Sequence, residues 1–182
     1  PDVCSVCDMN HGFLSEADLD PTELASIVDR TTAAETVPLA ADIVSGVPVY
    51  DGARVDAAVP GSPEHRELLT EWATVLADGP GCLAVRGAYA DTTVLDEAAE
   101  QFFAVIAEER AAGAGGGDHF AKVGANDRIW NSHEKLAVRA PEVFTRYYAN
   151  ATIAAAATAW LGPHYQLTAQ VNVVNPGDRK ST

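Results

Sequence analysis

The sequence predicts an α+β protein in which helices come first and a sheet follows. Apolar residues recur at helical spacing in the three stretches that we expect to form the main helices, residues 62–78, 91–110 and 141–161. Residues 165–174 alternate instead between apolar and polar side chains, a pattern typical of a strand with one buried face. This order of elements favours one domain with its helices gathered toward the amino-terminal side.

The first helix has clear boundaries. Ser62 is a good N-cap, Pro63 suits the first helical position, and Glu64 lies near the positive end of the helix dipole. The Gly-Pro-Gly sequence at 79–81 ends the helix. The sequence CLAVRGAY, residues 82–89, then predicts a short buried strand.

Two further helices follow. Asp91 is expected to cap the second, whose apolar stripe comprises Leu95, Ala98, Phe102, Val105 and Ile106. The Gly/Ala-rich residues 111–117 predict a flexible loop, and they lack the motifs of a phosphate-binding loop. The third helix is predicted as one continuous element from Pro141 to Leu161, where Gly162-Pro163 ends it.

The final strand is predicted over residues 165–174. One face carries Tyr165, Leu167, Ala169, Val171 and Val173, and the other carries Gln166, Thr168, Gln170 and Asn172.

The chain has 182 residues, of which 47% are hydrophobic and 21% charged, as is ordinary for one folded domain. Residues 1–61 show weak periodicity and one short helix from Pro21 to about Arg30, so we expect an extended lead-in segment there. Residues 62–182 are expected to form the domain proper.

The net charge of −14 comes from 26 acidic and 12 basic side chains. It repels phosphate backbones and anionic membrane surfaces, so we expect neither a nucleic-acid nor a membrane partner. No apolar run approaches the roughly 20 residues of a membrane-spanning helix, and no signal-peptide pattern is present at the start. These features predict a soluble cytoplasmic protein and leave its oligomeric state open.

The three cysteines do not describe a disulfide framework. Cys4 and Cys7, with His11 close by, could hold zinc or act as a redox pair. One such pair is half of a zinc site, so two plain thiols in a terminal segment are the favoured interpretation.

The polar stretch 118–135 lies between the two strongest helices, where functional groups tend to concentrate. Lys122, between Phe120 and Val123, is either a solvated or paired lysine or a ligand-binding one. His119, His133 and His164 have no metal-ligand spacing. Ser132, His133 and Glu134 are adjacent in sequence and cannot form a triad.

Three stretches together resemble the amino-terminal half of the phytanoyl-CoA dioxygenase family, over residues from about 65 to 177. They are DGPGCLAVRGAY, GDHFAKVGANDRIWNSHEKL and PEVFTRYYANATIAAAATAWLGPHYQLTAQVNVVNPG. The resemblance implies a non-haem iron(II) and 2-oxoglutarate dependent oxygenase that also uses O2. It further implies a double-stranded β-helix, a cupin-like jelly roll, with buttressing amino-terminal helices, incomplete in this chain.

The resemblance also implies site residues. Lys122 matches a family position that contacts the 2-oxoglutarate carboxylate, and Asn172 matches another cosubstrate contact. A lysine ammonium and an amide N–H donor suit a dianion. Gln170 and Thr168, on the same strand face as Asn172, are expected to contact the substrate.

The chain departs from the family after Gly177, where relatives carry H-x-D and later a second histidine and an arginine. It reads DRKST there and contains no H-x-D, so the residues that would bind iron are not identified. Three accounts stay open: a fragment, a chain lacking residues after Gly177, or a degenerate member, and missing sequence is favoured. The expected reaction is hydroxylation of a small molecule with release of succinate and CO2. A halogenase and a non-catalytic binding or scaffold protein are the alternatives.

Overall fold

The structure is a computed structural model that describes residue 16 and residues 20–113 and 126–174. Its described part is of the α+β class. The elements in chain order are α1 Pro21–Val28, β1 Asp42–Val44, β2 Val47–Asp51, α2 Gly52–Ala57, α3 Pro63–Ala77, β3 Ala84–Arg86, α4 Thr93–Ala111, β4 Asn126–Ile129, α5 Ser132–Arg139, α6 Pro141–Tyr148, α7 Ala151–Leu161 and β5 Val171–Val174. No described helix is both long and apolar enough to cross a bilayer.

The strands form two small sheets. In the first, β1 pairs antiparallel with β2, and β2 pairs parallel with β3. In the second, β4 pairs antiparallel with β5. Neither sheet closes on itself within the described ranges, so the jelly roll stays a proposal.

The predicted lead-in segment contains regular structure beyond the expected α1. It contributes β1, β2 and α2, and Val49, Tyr50 and Val55 from these elements are buried. Gly52 starts α2 so close to the turn after β3 that a Cβ there would lie 2.3 Å from the carbonyl oxygen of Gly87. This part of the lead-in is therefore packed into the body.

The helix predicted after Ser62 is confirmed as α3. The Ser62 hydroxyl accepts a hydrogen bond from the amide of His65 at 3.1 Å, and Pro63 occupies the first turn. α3 packs against α7 and, with the lead-in elements, builds the first core. The first core comprises Tyr50, Val55, Leu68, Trp72 and Ala155.

The helix predicted after Asp91 is confirmed as α4, but it begins at Thr93 with Thr92, not Asp91, at the N-cap position. The Asp91 carboxylate accepts hydrogen bonds from the amide and hydroxyl of Thr93, and this lowers the pKa of Asp91. α4 contributes most of the second core, which comprises Ala98, Phe102, Val105, Ile106, Ile129 and Leu136. Leu95, expected in the buried stripe, is 36% exposed. Its neighbour Val94 is the buried residue in that turn of the helix.

The single helix predicted over residues 141–161 is wrong, because two helices meet there at Asn150. The Asn150 Oδ1 atom accepts a hydrogen bond from the amide of Ile153 at 2.9 Å and caps α7. Its Nδ2 atom donates to the carbonyl of Ala88 at 2.6 Å. Asn150 therefore caps one helix and holds a distant loop, and both contacts stabilise the break between α6 and α7. Helical periodicity does not reveal this break.

The two predicted strands are shorter than expected. The first is Ala84–Arg86, and only Val85 in it is even half-buried, so the expectation of a buried strand is wrong. The second is Val171–Val174, and residues 165–170 lie outside regular structure. Leu167, expected on the apolar face, is 41% exposed.

Several predicted features lie outside the described residues. They are Cys4, Cys7, His11, the loop residues 114–117, His119, Lys122 and the Asn-Pro-Gly turn at 175–177.

Candidate functional site: the β4–β5 polar face

The strongest candidate site is a polar surface on the second sheet, which we call the β4–β5 polar face. It comprises Arg128 and Trp130 from β4 and the turn after it, Asn172 from β5, and Gln170 and Thr168 from the segment leading into β5. Thr168, Gln170 and Asn172 are exposed, whereas Ala169, Val171 and Val173 between them are half-buried. The predicted alternation is therefore confirmed over these six residues.

The second core holds this sheet in place. Ile129 is fully buried in that core, and its register partner Val171 packs against it together with Val173. Side chains alternate between the faces of a strand, so Arg128 and Asn172 lie on the face opposite to this apolar contact. Burial of the valines thus determines the exposure of the polar side chains.

An ion pair fixes β4 to α4 on the core side. The guanidinium of Arg110 contacts the carboxylate of Asp127 through two bonds, Nε to Oδ1 at 2.9 Å and Nη2 to Oδ2 at 2.5 Å. Bidentate contacts of this kind restrict orientation as well as distance. Asp127 is the register partner of Val173, so the Arg110–Asp127 ion pair lies directly beside β5.

The side chain of Arg128 contacts Gln170 and Trp130, among others. Its Nε and Nη2 atoms both donate to Oε1 of Gln170, at 3.1 Å and 2.7 Å. Its guanidinium carbon lies 4.5 Å from the centre of the Trp130 ring. Arg128 is also the register partner of Asn172, so a cation and an amide stand side by side across the two strands.

The structure brings together three of the four predicted site residues. Asn172, Gln170 and Thr168 lie on one exposed face of β5 and of the segment that leads into it. Lys122 lies outside the described residues. Arg128 and Trp130 were missed by sequence reasoning. β4 has four residues, too few for a readable period, and the only available signal was the dense polarity of the stretch in which it lies.

The described residues do not supply an iron site. Among residues 16, 20–113 and 126–174, no group of three His, Cys, Asp or Glu side chains is placed to hold a metal ion. The ring of His133 packs edge-on against Phe144 at 4.8 Å and Tyr148 at 4.6 Å, and His164 is exposed at the surface.

A buried carboxylate, that of Glu71, lies beside the first core. Glu71 accepts a hydrogen bond from the Tyr50 hydroxyl at 2.9 Å and another from the Leu39 amide at 3.1 Å. Burial, and then the neighbouring carboxylate, raise the pKa of Tyr50. These contacts tie the segment before β1 to α3, which is a structural role.

Comparison with protein-family models, with curated proteins and with solved structures finds no significant match.

Proposed function

We propose that this chain forms the cosubstrate-binding wall of an iron(II) and 2-oxoglutarate dependent oxygenase of the phytanoyl-CoA dioxygenase type. The proposal joins the sequence resemblance to one structural observation. Asn172, which the resemblance implies as a cosubstrate contact, lies exposed on a strand directly opposite Arg128. An amide and a guanidinium both donate hydrogen bonds to carboxylate oxygens, and the 2-oxoglutarate dianion carries two carboxylates.

The arrangement of the second sheet fits the proposed fold. In the jelly roll that the resemblance implies, helices buttress one sheet, and a cavity-lining strand carries the residues that contact the cosubstrate. Here α4 and the second core cover one face of the β4–β5 pair, and the polar face points away from them. We propose that β4 and β5 are the beginning of such a sheet.

Each residue has a proposed role. Asn172 donates a hydrogen bond to the cosubstrate, and Thr168 and Gln170 lie on the substrate side of the same face. Lys122 enters the proposal from the sequence resemblance alone. The overall reaction is hydroxylation of a small molecule, coupled to conversion of 2-oxoglutarate and O2 to succinate and CO2.

The function is tested by measuring succinate release. The full natural protein, given iron(II), 2-oxoglutarate, O2 and a small-molecule extract of its source cells, is expected to form succinate. Omission of oxygen, or addition of an iron chelator, is expected to abolish that release. Boiled protein is the control for non-enzymatic decarboxylation.

Two outcomes point elsewhere. Succinate release no greater than that of boiled protein contradicts the proposal and favours a non-catalytic binding protein of this fold. Succinate release accompanied by a chlorinated product, in the presence of chloride, supports the halogenase alternative.

A further inference from the structure

We infer that the outward side of α7 binds the same side of a second copy of this chain, in a symmetric dimer. We call this surface the α7 apolar face, and it comprises Ile153, Ala154, Ala157, Trp160 and Leu161. The inference goes beyond the proposed function and does not depend on it, because α7 contributes no residue to the β4–β5 polar face.

The first support is that α7 is apolar on both of its sides. Its inner side packs into the first core through Ala155. At 3.6 residues per turn the α7 apolar face lies on the opposite side, and there Ile153, Trp160 and Leu161 are 39%, 59% and 61% exposed. A helix that is apolar all round is normally buried all round. With 11 residues α7 is too short to cross a bilayer, which takes about 20, so we expect a protein surface to cover it.

The second support is the distribution of charge, which selects the occupant. Of the helices in the described part of the chain, α7 alone has no Asp, Glu, Lys or Arg, and residues 147–177 contain none of these. The net charge is −14, so two copies repel each other wherever their acidic surfaces meet. A symmetric interface places every charge against its like, so an uncharged face is where two copies can approach closely. A basic partner would instead be attracted to the acidic surface.

The third support is the order of side-chain sizes along the α7 apolar face. Ala157 lies near its middle, and the large side chains lie toward its two ends. In an antiparallel pair of α7 helices that cross at Ala157, Ile153 of each copy faces Leu161 of the other, and Ala154 faces Trp160. A small side chain opposite a large one lets two helices pack closely, so the face is complementary to itself.

The experiment is sedimentation equilibrium of the full natural protein and its variants over a range of concentrations. The parent is expected to be a dimer. Ala154→Glu is expected to raise the dimer dissociation constant roughly 100-fold or more, because symmetry buries two carboxylates without partners. Trp160→Ala is expected to raise it roughly 30-fold or more, since a truncated aromatic anchor is lost from both copies.

Ala107→Glu is the matched control. Ala107 is an exposed alanine on α4, so this variant gains the same charge as Ala154→Glu on a different helix. It is expected to dimerise like the parent, which separates a local effect on the α7 apolar face from a general effect of net charge. Circular dichroism checks that each variant is folded, and the exposed position of Trp160 makes Trp160→Ala a test that leaves the first core intact.

Three outcomes overturn the inference. A dimer whose dissociation constant is unchanged in both Ala154→Glu and Trp160→Ala has its interface elsewhere. A parent that stays monomeric has no such interface. A monomeric parent whose unfolding temperature falls in Ala154→Glu but not in Ala107→Glu has its α7 apolar face covered by another part of the same natural chain. Succinate release by a monomeric parent refutes the dimer and leaves the proposed function standing.

Discussion

Replacing Trp72 with alanine is expected to lower the free energy of unfolding by about 3–5 kcal/mol. Trp72 is fully buried at the centre of the first core, and its ring lies 5.4 Å from that of Tyr50 in an edge-on arrangement. Removal of the indole leaves a cavity between α3 and α7 that small neighbours such as Ala155 cannot fill. Urea denaturation with linear extrapolation measures the change.

Trp72→Phe is the matched control. Among the described residues the Trp72 Nε1 atom has no hydrogen-bond partner, so phenylalanine gives up packing area but no polar contact. We expect Trp72→Phe to retain most of the stability that Trp72→Ala loses. An alanine variant as stable as the parent would contradict the placement of Trp72 in a packed core.

Replacing Ile129 with alanine is expected to lower the free energy of unfolding by about 2–5 kcal/mol and to loosen β5. Ile129 is fully buried in the second core and pairs with Val171, so it links the core to the β4–β5 polar face. Denaturation measures the stability. Hydrogen exchange of the β5 amides measures the loosening and is expected to be faster in the variant.

Two variants serve as controls for Ile129→Ala. Ile129→Val removes one methylene and is expected to cost about 0.5–1.5 kcal/mol. Val138→Ala, at a position 81% exposed on α5, is expected to stay within about 0.5 kcal/mol of the parent. Unchanged exchange of β5 in Ile129→Ala would show that the sheet does not depend on this core.

Sequence patterns predicted the elements whose signals are local. Ser62 and Asp91 indicated where α3 and α4 begin, and the apolar stripe of α4 is buried at four of its five predicted positions. β1, β2 and α2 were missed because three to six residues carry too little periodicity. The break at Asn150 was missed because it depends on a hydrogen bond to Ala88, 62 residues away.

In the candidate site too, local patterns were predictive and long-range contacts were missed. Alternation predicted that Gln170 and Asn172 would share an exposed face, since period two is a property of the strand alone. Arg128 lies beside Gln170, 42 residues away in sequence, because β4 pairs with β5. No pattern within β4 predicts the register of that pairing. Which strand pairs with which is determined by the tertiary structure and not by the local sequence.

The most direct measurement of the central claim is the dissociation constant of 2-oxoglutarate for the full natural protein and for its Asn172→Ala variant. Loss of an amide donor to a carboxylate is expected to weaken binding roughly 10- to 100-fold. Thr74→Ala, an exposed polar truncation on α3, is the control and is expected to leave binding unchanged. Equal affinity of the parent and Asn172→Ala, or no measurable binding by the parent, would contradict the account.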